Sequence, residues 1–328
     1  LKITSSIIKE YGTMPPYDEI DLSGVTTYSA ANRVSKVTTD FEAGSICSGM
    51  TVRQFLDSLP ACLKADDLKQ IARSIGDAKK RRKPVIAMIG GHVIKTGCAT
   101  VLIDLVRQGF ITHVASNGSA AIHDTELARF GHTSEDVAIQ LADGSFGMAH
   151  DTADLVNRAA IRAVNQHEGF GESVGALLAE ESPPHLNRAL IYQCYRYRIP
   201  YTLHVAIGTD IVHQHPSASG AAIGEASHRD FRIFAATVSK LGDGGVVLNL
   251  GSAVLMPEVF LKALSVARNL GFDVTHFTTA NIDMIQHYRP TVNVVNRPVL
   301  EGGRGYAITG HHEIMIPLLA AAIYEYGG

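Results

Sequence analysis

The run Pro84-Val85-Ile86-Ala87-Met88-Ile89 leaves this chain few choices of fold. It is apolar throughout, too short for most helices and closed by Gly90-Gly91, which predicts a strand buried on both faces of a parallel sheet. Val101, Leu102, Leu105 and Val106 follow at near-helical spacing, with Gly109 where a helix C-cap belongs. A second apolar segment, Phe110 to Ala115, breaks at Ser116-Asn117-Gly118-Ser119. Strand, glycine turn, helix and strand in about 30 residues make one βαβ unit.

The alternation continues. Further strands are expected at Tyr201–Ile207, Gly245–Leu250, Asp273–Phe277 and Tyr306–Thr309, with a short one at Thr291–Val295. Helices are expected over Asp151–Glu168, Ser227–Leu241 and Pro257–Leu270 and from Ile314 onward, while residues 132–150 read as loop. The fold class is therefore α/β: a doubly wound, mostly parallel sheet with helices on both faces. Residues 1–83 are expected to form an N-terminal arm and helices packed on the core. Residues 84–328 are expected to form a Rossmann-like α/β domain.

Composition narrows the partners. A chain with 46 % hydrophobic residues can bury a core, and a net charge of -3 gives no footprint for nucleic acid. The only basic run, Lys79-Lys80-Arg81-Arg82-Lys83, reads as a solvated connection. Cys47, Cys62, Cys98 and Cys194 form no C-x-x-C pair and read as reduced thiols. No apolar stretch reaches the ~18 residues of a membrane span, and no apolar signal core opens the sequence. A cytoplasmic address and no membrane partner are expected.

In open parallel sheets, ligands bind beyond the carboxyl ends of the strands. Gly90-Gly91-His92 and Ser116-Asn117-Gly118-Ser119 both fall at that edge, where glycines let backbone amides approach a phosphate or ribose. The G-x-G-x-x-G fingerprint of an ordinary Rossmann dehydrogenase is absent. Other polar residues gather at predicted strand ends: Lys95, His123, Asp124, Thr209, Asp210, His213, His215, Ser252, Asn281, His311, His312 and Glu313. They allow two readings. His213 and His215 with Asp210 are candidate metal ligands of a hydrolase, although their spacing matches no established zinc pattern. Alternatively they line a cofactor and substrate cleft, with Asp210 or Asp124 on ribose hydroxyls or a cationic substrate and the histidines moving protons.

From about residue 84 to 325 the pattern resembles deoxyhypusine synthase, and it is similar to the NAD-binding domain of archaeal-type ornithine cyclodeaminases, related to the bifunctional arginine dihydrolases. Asn117-Gly118-Ser119-Ala120-Ala121-Ile122-His123-Asp124-Thr125-Glu126, with Phe130-Gly131, is similar to the cyclodeaminase segment. Residues 245–252 with Thr278-Thr279-Ala280, and residues 311–320, resemble the synthase. The resemblance implies NAD held by several strand-end loops without a G-x-G-x-x-G. It matches Ser116, Asn117, Asp210, Thr279, Ala280 and His311 to cofactor-contacting positions. With the turn residues Gly91, His92, Gly118, Gly251 and Ser252 these make up the expected NAD site.

Two departures bear on activity. The synthase's essential lysine has no counterpart in Leu300-Glu301-Gly302-Gly303-Arg304-Gly305-Tyr306, and an always-protonated guanidinium is no amine nucleophile. Its paired substrate histidines are replaced by Pro257-Glu258. The expected activity is therefore oxidation of the amine carbon of a small cationic or amino-acid-like substrate by NAD, followed by imine hydrolysis, cyclisation or transfer. His123, Asp124, His213 and Glu258 are its candidate catalytic residues, Glu126 is a further carboxylate, and Lys95 is the nearest lysine to the cleft. A non-catalytic NAD-binding sensor is the remaining alternative. The resemblance also implies a homo-oligomer, dimer or tetramer.

Overall fold

β1 (Val85–Ile89) is buried at every residue and lies at the centre of the sheet. Its side chains alternate between two cores: Val85, Ala87 and Ile89 enter one, Ile86 and Met88 the other. β2 (His113–Asn117) and β4 (Val246–Leu250) flank it, β3 (Tyr201–His204) lies outside β2, and β5 (Thr278–Asp283) and β6 (Arg304–Thr309) continue beyond β4. The order is 3-2-1-4-5-6 and every pairing is parallel. This doubly wound order reverses between β1 and β4, leaving a crevice at their carboxyl ends.

The computed structural model describes residues 17–328. Residues 17–41 form one unit by contacts and residues 42–328 another. The first holds two short turns, Ala30–Asn32 and Thr39–Phe41, and no buried residue. The second holds the whole sheet, and the expected boundary between residues 83 and 84 falls inside it.

Helices cover both faces of the sheet. α1 (Val52–Ser58) opens on a capping box in which Thr51 and Gln54 bond each other's backbone amides. α2 (Leu63–Lys80), α4 (Ala99–Arg107), α5 (Gly118–Phe130) and the last helix, His312–Tyr326, contribute to the first core, as do α7 (His150–Gln166), α8 (Phe170–Glu181) and α9 (Leu190–Tyr197). The second core lies between the sheet and α10 (Gly220–Val238) with α11 (Leu255–Asn269), filled by Phe234, Phe260 and Phe277. α3 (Gly91–Lys95) and α6 (Val137–Asp143) are short.

Several expected boundaries move. Ser116 and Asn117 belong to β2 and not to the turn after it. β5 begins at Thr278, where Asp273–Phe277 had been the expected strand. The polar residues of β5 are spent internally: Thr279 Oγ1 donates to Val294 O at 2.7 Å, and Asn249 Nδ2 donates to Asn281 Oδ1 at 2.7 Å. Val274 and Phe277 are buried in the loop before it, so apolar content alone misplaces the strand. Thr291–Asn296 is helical, not extended. α6 occupies the expected loop; it buries no residue, hence shows no amphipathic period, and it starts where Asp136 accepts from Ala138 N and Ile139 N. α10 begins at Gly220, capped by Ser219, well before Ser227.

Candidate functional site

The carboxyl ends of β1, β2 and β3 open on a cavity of about 250 Å³, lined by Lys95, Ser119, His123, Glu126, Glu135 and Asp210 together with Phe146 and Ile211. Each polar residue arrives by a short local route. α3 leaves β1 almost at once and ends on Lys95. α5 starts straight from β2, with Asn117 Oδ1 accepting from Ala120 N at 3.3 Å and from Ser119 Oγ at 3.1 Å. That start sets His123 and Glu126 three residues apart on one helix face. Gly91 is a close-packing glycine: a Cβ there would lie 2.5 Å from Ser119 Oγ and would force that hydroxyl to shift where α3 and α5 meet.

His123 and Glu126 form a coupled pair. His123 Nδ1 bonds Thr133 Oγ1 at 2.8 Å, Thr133 bonds Glu126, and Thr152 Oγ1 donates to the other Glu126 oxygen at 2.9 Å. Burial raises the Glu126 carboxyl, but bonds from His123, Thr133 and Thr152 outweigh it and hold the group below its ordinary range. The loop after α5 brings in Glu135, one oxygen of which accepts from Gly147 N at 2.8 Å while Oε1 is buried with no partner.

The loop leaving β3 carries Asp210 onto the start of α5, where a Cβ on Gly118 would lie 1.9 Å from Asp210 Oδ2. Burial pushes the Asp210 carboxyl up to about 6. His213 staples this loop: its Nδ1 accepts from Gly208 N at 3.1 Å and Asp210 N at 3.3 Å, and burial lowers its proton affinity. His215 Nε2 bonds Gly147 O at 2.8 Å.

At the switch point, two backbones close on each other. Gly90 N donates to Leu250 O, and a Cβ on Gly90 would stand 2.2 Å from Gly251 O. Gly251 has φ +68° and lies under the ring of His312. His312 is buried with both ring nitrogens unpartnered, packs edge-on against His92 at 5.6 Å and lies 3.7 Å from Asp283.

The expected site residues thus fall into three groups. His123 and Asp210 line the cavity, with Asn117 and Gly118 at its helix start. Gly91, His92, Gly251 and His311 lie at the ends of β1, β4 and β6, with His311 exposed just before the last helix. The others are committed elsewhere. Asp124 is a correction: both its oxygens accept from the first amides of α9, Leu190 N at 3.0 Å and Ile191 N at 2.8 Å, so it anchors a helix. Ser116 is buried in β2 and accepts from Tyr201 Oη at 2.7 Å. Thr279 and Ala280 are inside β5, the strand that ends at Asp283. Ser252 accepts from Met256 N at the start of α11. Glu258 sits in the first turn of α11, bonded to Lys262, Arg289 and Asn293 outside the cavity lining. His213 acts on its own loop rather than on the cavity.

Sequence reasoning missed Glu135 and Phe146, which lie in an aperiodic loop and reach the cavity only through tertiary folding. Among the described residues, no three His, Cys, Asp or Glu side chains converge as metal ligands. No described helix is long and apolar enough to cross a membrane.

Residues 69–212 match the family described as arginine dihydrolase ArgZ-like, C-terminal, Rossmann fold. An ornithine cyclodeaminase of Methanothermobacter thermautotrophicus is 27 % identical over 146 residues, 44 % of this chain and 32 % of that protein. The bifunctional arginine dihydrolase/ornithine cyclodeaminase ArgZ of a Synechocystis strain is 27 % identical over 143 residues, 44 % of this chain and 18 % of its length. The chain therefore covers a third or less of these relatives. Among solved structures, the ternary complex of AgrE with ornithine and NAD+ superposes with a TM-score of 0.53 at 16 % identity, covering 82 % of this chain and 34 % of that one. Over residues 69–212 the chain is thus similar in sequence to ArgZ-like Rossmann domains and to ornithine cyclodeaminases, and its fold is that of the AgrE structure.

Proposed function

We infer that residues 42–328 hold NAD along the carboxyl edge of the sheet and process a small diamino acid of the ornithine type in the cavity beside it. The observation that carries this reading is the cavity's charge pattern: one ammonium, Lys95, and two carboxylates, Glu126 and Glu135, with the third carboxylate, Asp210, on the cofactor side. That is the complement of a molecule with one carboxylate and two ammonium groups. The buried, unpartnered Glu135 Oε1 supports a cationic occupant. Relatives named for ornithine cyclodeamination, and a neighbour of the same fold in complex with ornithine and NAD+, point the same way.

The strand ends fit a dinucleotide. Gly91, Gly118 and Gly251 let Ser119, Asp210 and His312 close in on the strand ends, which sets Asp210 at the exit of β3, suited to ribose hydroxyls. Gly91, His92, Asn117, Gly118, Asp210 and Gly251 would hold the cofactor. Bound NAD supplies an acceptor for the hydride leaving the amine-bearing carbon. Lys95 binds the substrate carboxylate, and Glu126 and Glu135 fix its ammonium groups. His123, with Nδ1 tied to Thr133, has Nε2 left to move the amine proton. The metal-hydrolase reading loses its ligands, because His213 and His215 are engaged with backbone.

The test is to incubate the purified chain with NAD and L-ornithine and follow ammonia release and the cyclised product by mass spectrometry. Turnover is expected, falling about 10²–10⁴-fold in His123→Ala with the fold intact. NAD binding without conversion of ornithine or related diamines would leave a nucleotide sensor. No binding of NAD would overturn the reading.

A further inference from the structure

The opposite edge of the sheet, where the strands begin, carries a second cavity of about 410 Å³. Four cationic side chains line it, Lys79, Arg82, Lys83 and Lys240, together with Thr112 and Thr237, and no acidic residue does. Three of the cations belong to the basic run that starts in the last turn of α2 (Lys79) and continues past it (Arg82, Lys83), while Lys240 comes from the turn after α10, 157 positions beyond Lys83. A run that looks in sequence like a solvated connection is thus completed by a cation from a distant helix.

The helix dipoles account for part of this arrangement. α2 and α10 both end here, and a cation beside a helix carboxyl terminus is favourable. That effect acts within the last turn of each helix and favours cations there, but it does not require all four to line one concavity with no acidic residue among them, in a chain whose net charge is -3. Two of them are held in place. Lys83 Nζ donates to Gly242 O at 2.6 Å, and the Lys79 ammonium sits 3.8 Å above the Phe110 ring. Arg82, whose φ is +55°, and Lys240 are both exposed. Part of the ordering that an incoming anion would require is therefore already done.

We propose that this cavity is a binding site for a small phosphorylated anion of the di- or triphosphate class, separate from the carboxyl-edge cleft and independent of what that cleft does. The guanidinium of Arg82 suits phosphate oxygens bidentately, and the three ammonium groups suit the remaining charge. The cavity is local and concave, which matches a small polyanion better than a nucleic-acid backbone.

Calorimetric titration of the full chain at 0.15 M salt, with inorganic pyrophosphate and with ATP as separate probes, tests this. Saturable binding is expected, weakened at least tenfold in the double variant Arg82→Gln, Lys240→Gln and unchanged in Lys95→Ala. Both altered side chains are exposed, and the double variant's melting temperature checks that it folds. Equal affinity for both probes would identify the phosphates alone as the ligand, and tighter binding of ATP would assign a nucleotide. Absence of saturable binding, or binding of unchanged affinity in the double variant, would overturn the proposal. NAD titrated into the same double variant keeps this site apart from the cofactor cleft: its affinity is expected to be that of the unaltered chain.

Discussion

Asp210 and Asp124 show how two buried carboxylates in neighbouring segments come to do different work. Asp210 faces the cavity, and burial raises its carboxyl from 3.8 to about 6. The folded chain therefore holds this proton more tightly than the unfolded chain, so its penalty is absent below about pH 4, grows as pH rises through 6 and then stays constant. A shift of that size corresponds to about 3 kcal/mol at most. Asp210→Asn is expected to be more stable than the unaltered chain at pH 7.5 and equal to it at pH 4 in denaturant unfolding, while binding NAD more weakly. Equal stability at both pH values would show that solvent reaches the carboxylate. Burial raises the Asp124 carboxyl as well, to about 7, even though two amides of α9 donate to it; what differs is its work, because its oxygens satisfy those amides. Asp124→Ala should cost about 2–4 kcal/mol of stability by stranding both donors. A variant of normal stability that has lost only turnover would return Asp124 to catalysis. In sequence the two aspartates look alike, each within three residues of a histidine and following a predicted strand. Only their partners in space distinguish them.

The elements of the site meet through glycines rather than through long side chains. Gly90 and Gly97 make a direct comparison, one and eight positions after the end of β1. A Cβ on Gly90 meets Gly251 O at 2.2 Å, a backbone atom that cannot move without shifting β4, whereas a Cβ on Gly97 meets nothing within 4 Å. Gly90→Ala is expected to cost about 3 kcal/mol or more, as overpacking against main chain. Gly97→Ala, strained only by its φ of +79°, is expected to cost about 1 kcal/mol. Thermal melts of the two variants decide it, and similar losses would mean that the crevice at β1 and β4 opens easily. The Gly90-Gly91 pair was legible as a turn next to a strand. Its second role, letting β1 touch β4 and α3 touch α5, was not, since β4 lies more than 150 positions away.

For the molecule as a whole, the burial pattern assigns the stability to residues 42–328, because residues 17–41 bury none of their side chains. A chain beginning at Glu42 is expected to keep its far-ultraviolet circular dichroism and to unfold within about 1 kcal/mol of the full chain, a difference small against typical net stabilities. A larger loss would give the preceding residues a structural part. The α/β class, the central strands and the edge at which ligands are expected could be read from the sequence, because strands buried on both faces are apolar throughout and parallel strands all end on one side. The start of α5 was not legible there: Ser116–Ser119 read as a turn, and only the structure shows Asn117 as the helix cap. The register of β5, and with it the removal of Thr279 and Ala280 from the site, was decided only by the tertiary structure, through hydrogen bonds from Asn249 and to Val294. So was the meeting of Lys95, Glu135 and Asp210 around one cavity, and of Arg82 with Lys240 around the other. Those residues lie in turns and loops, where no periodicity records the partner, and strand order alone brings them together.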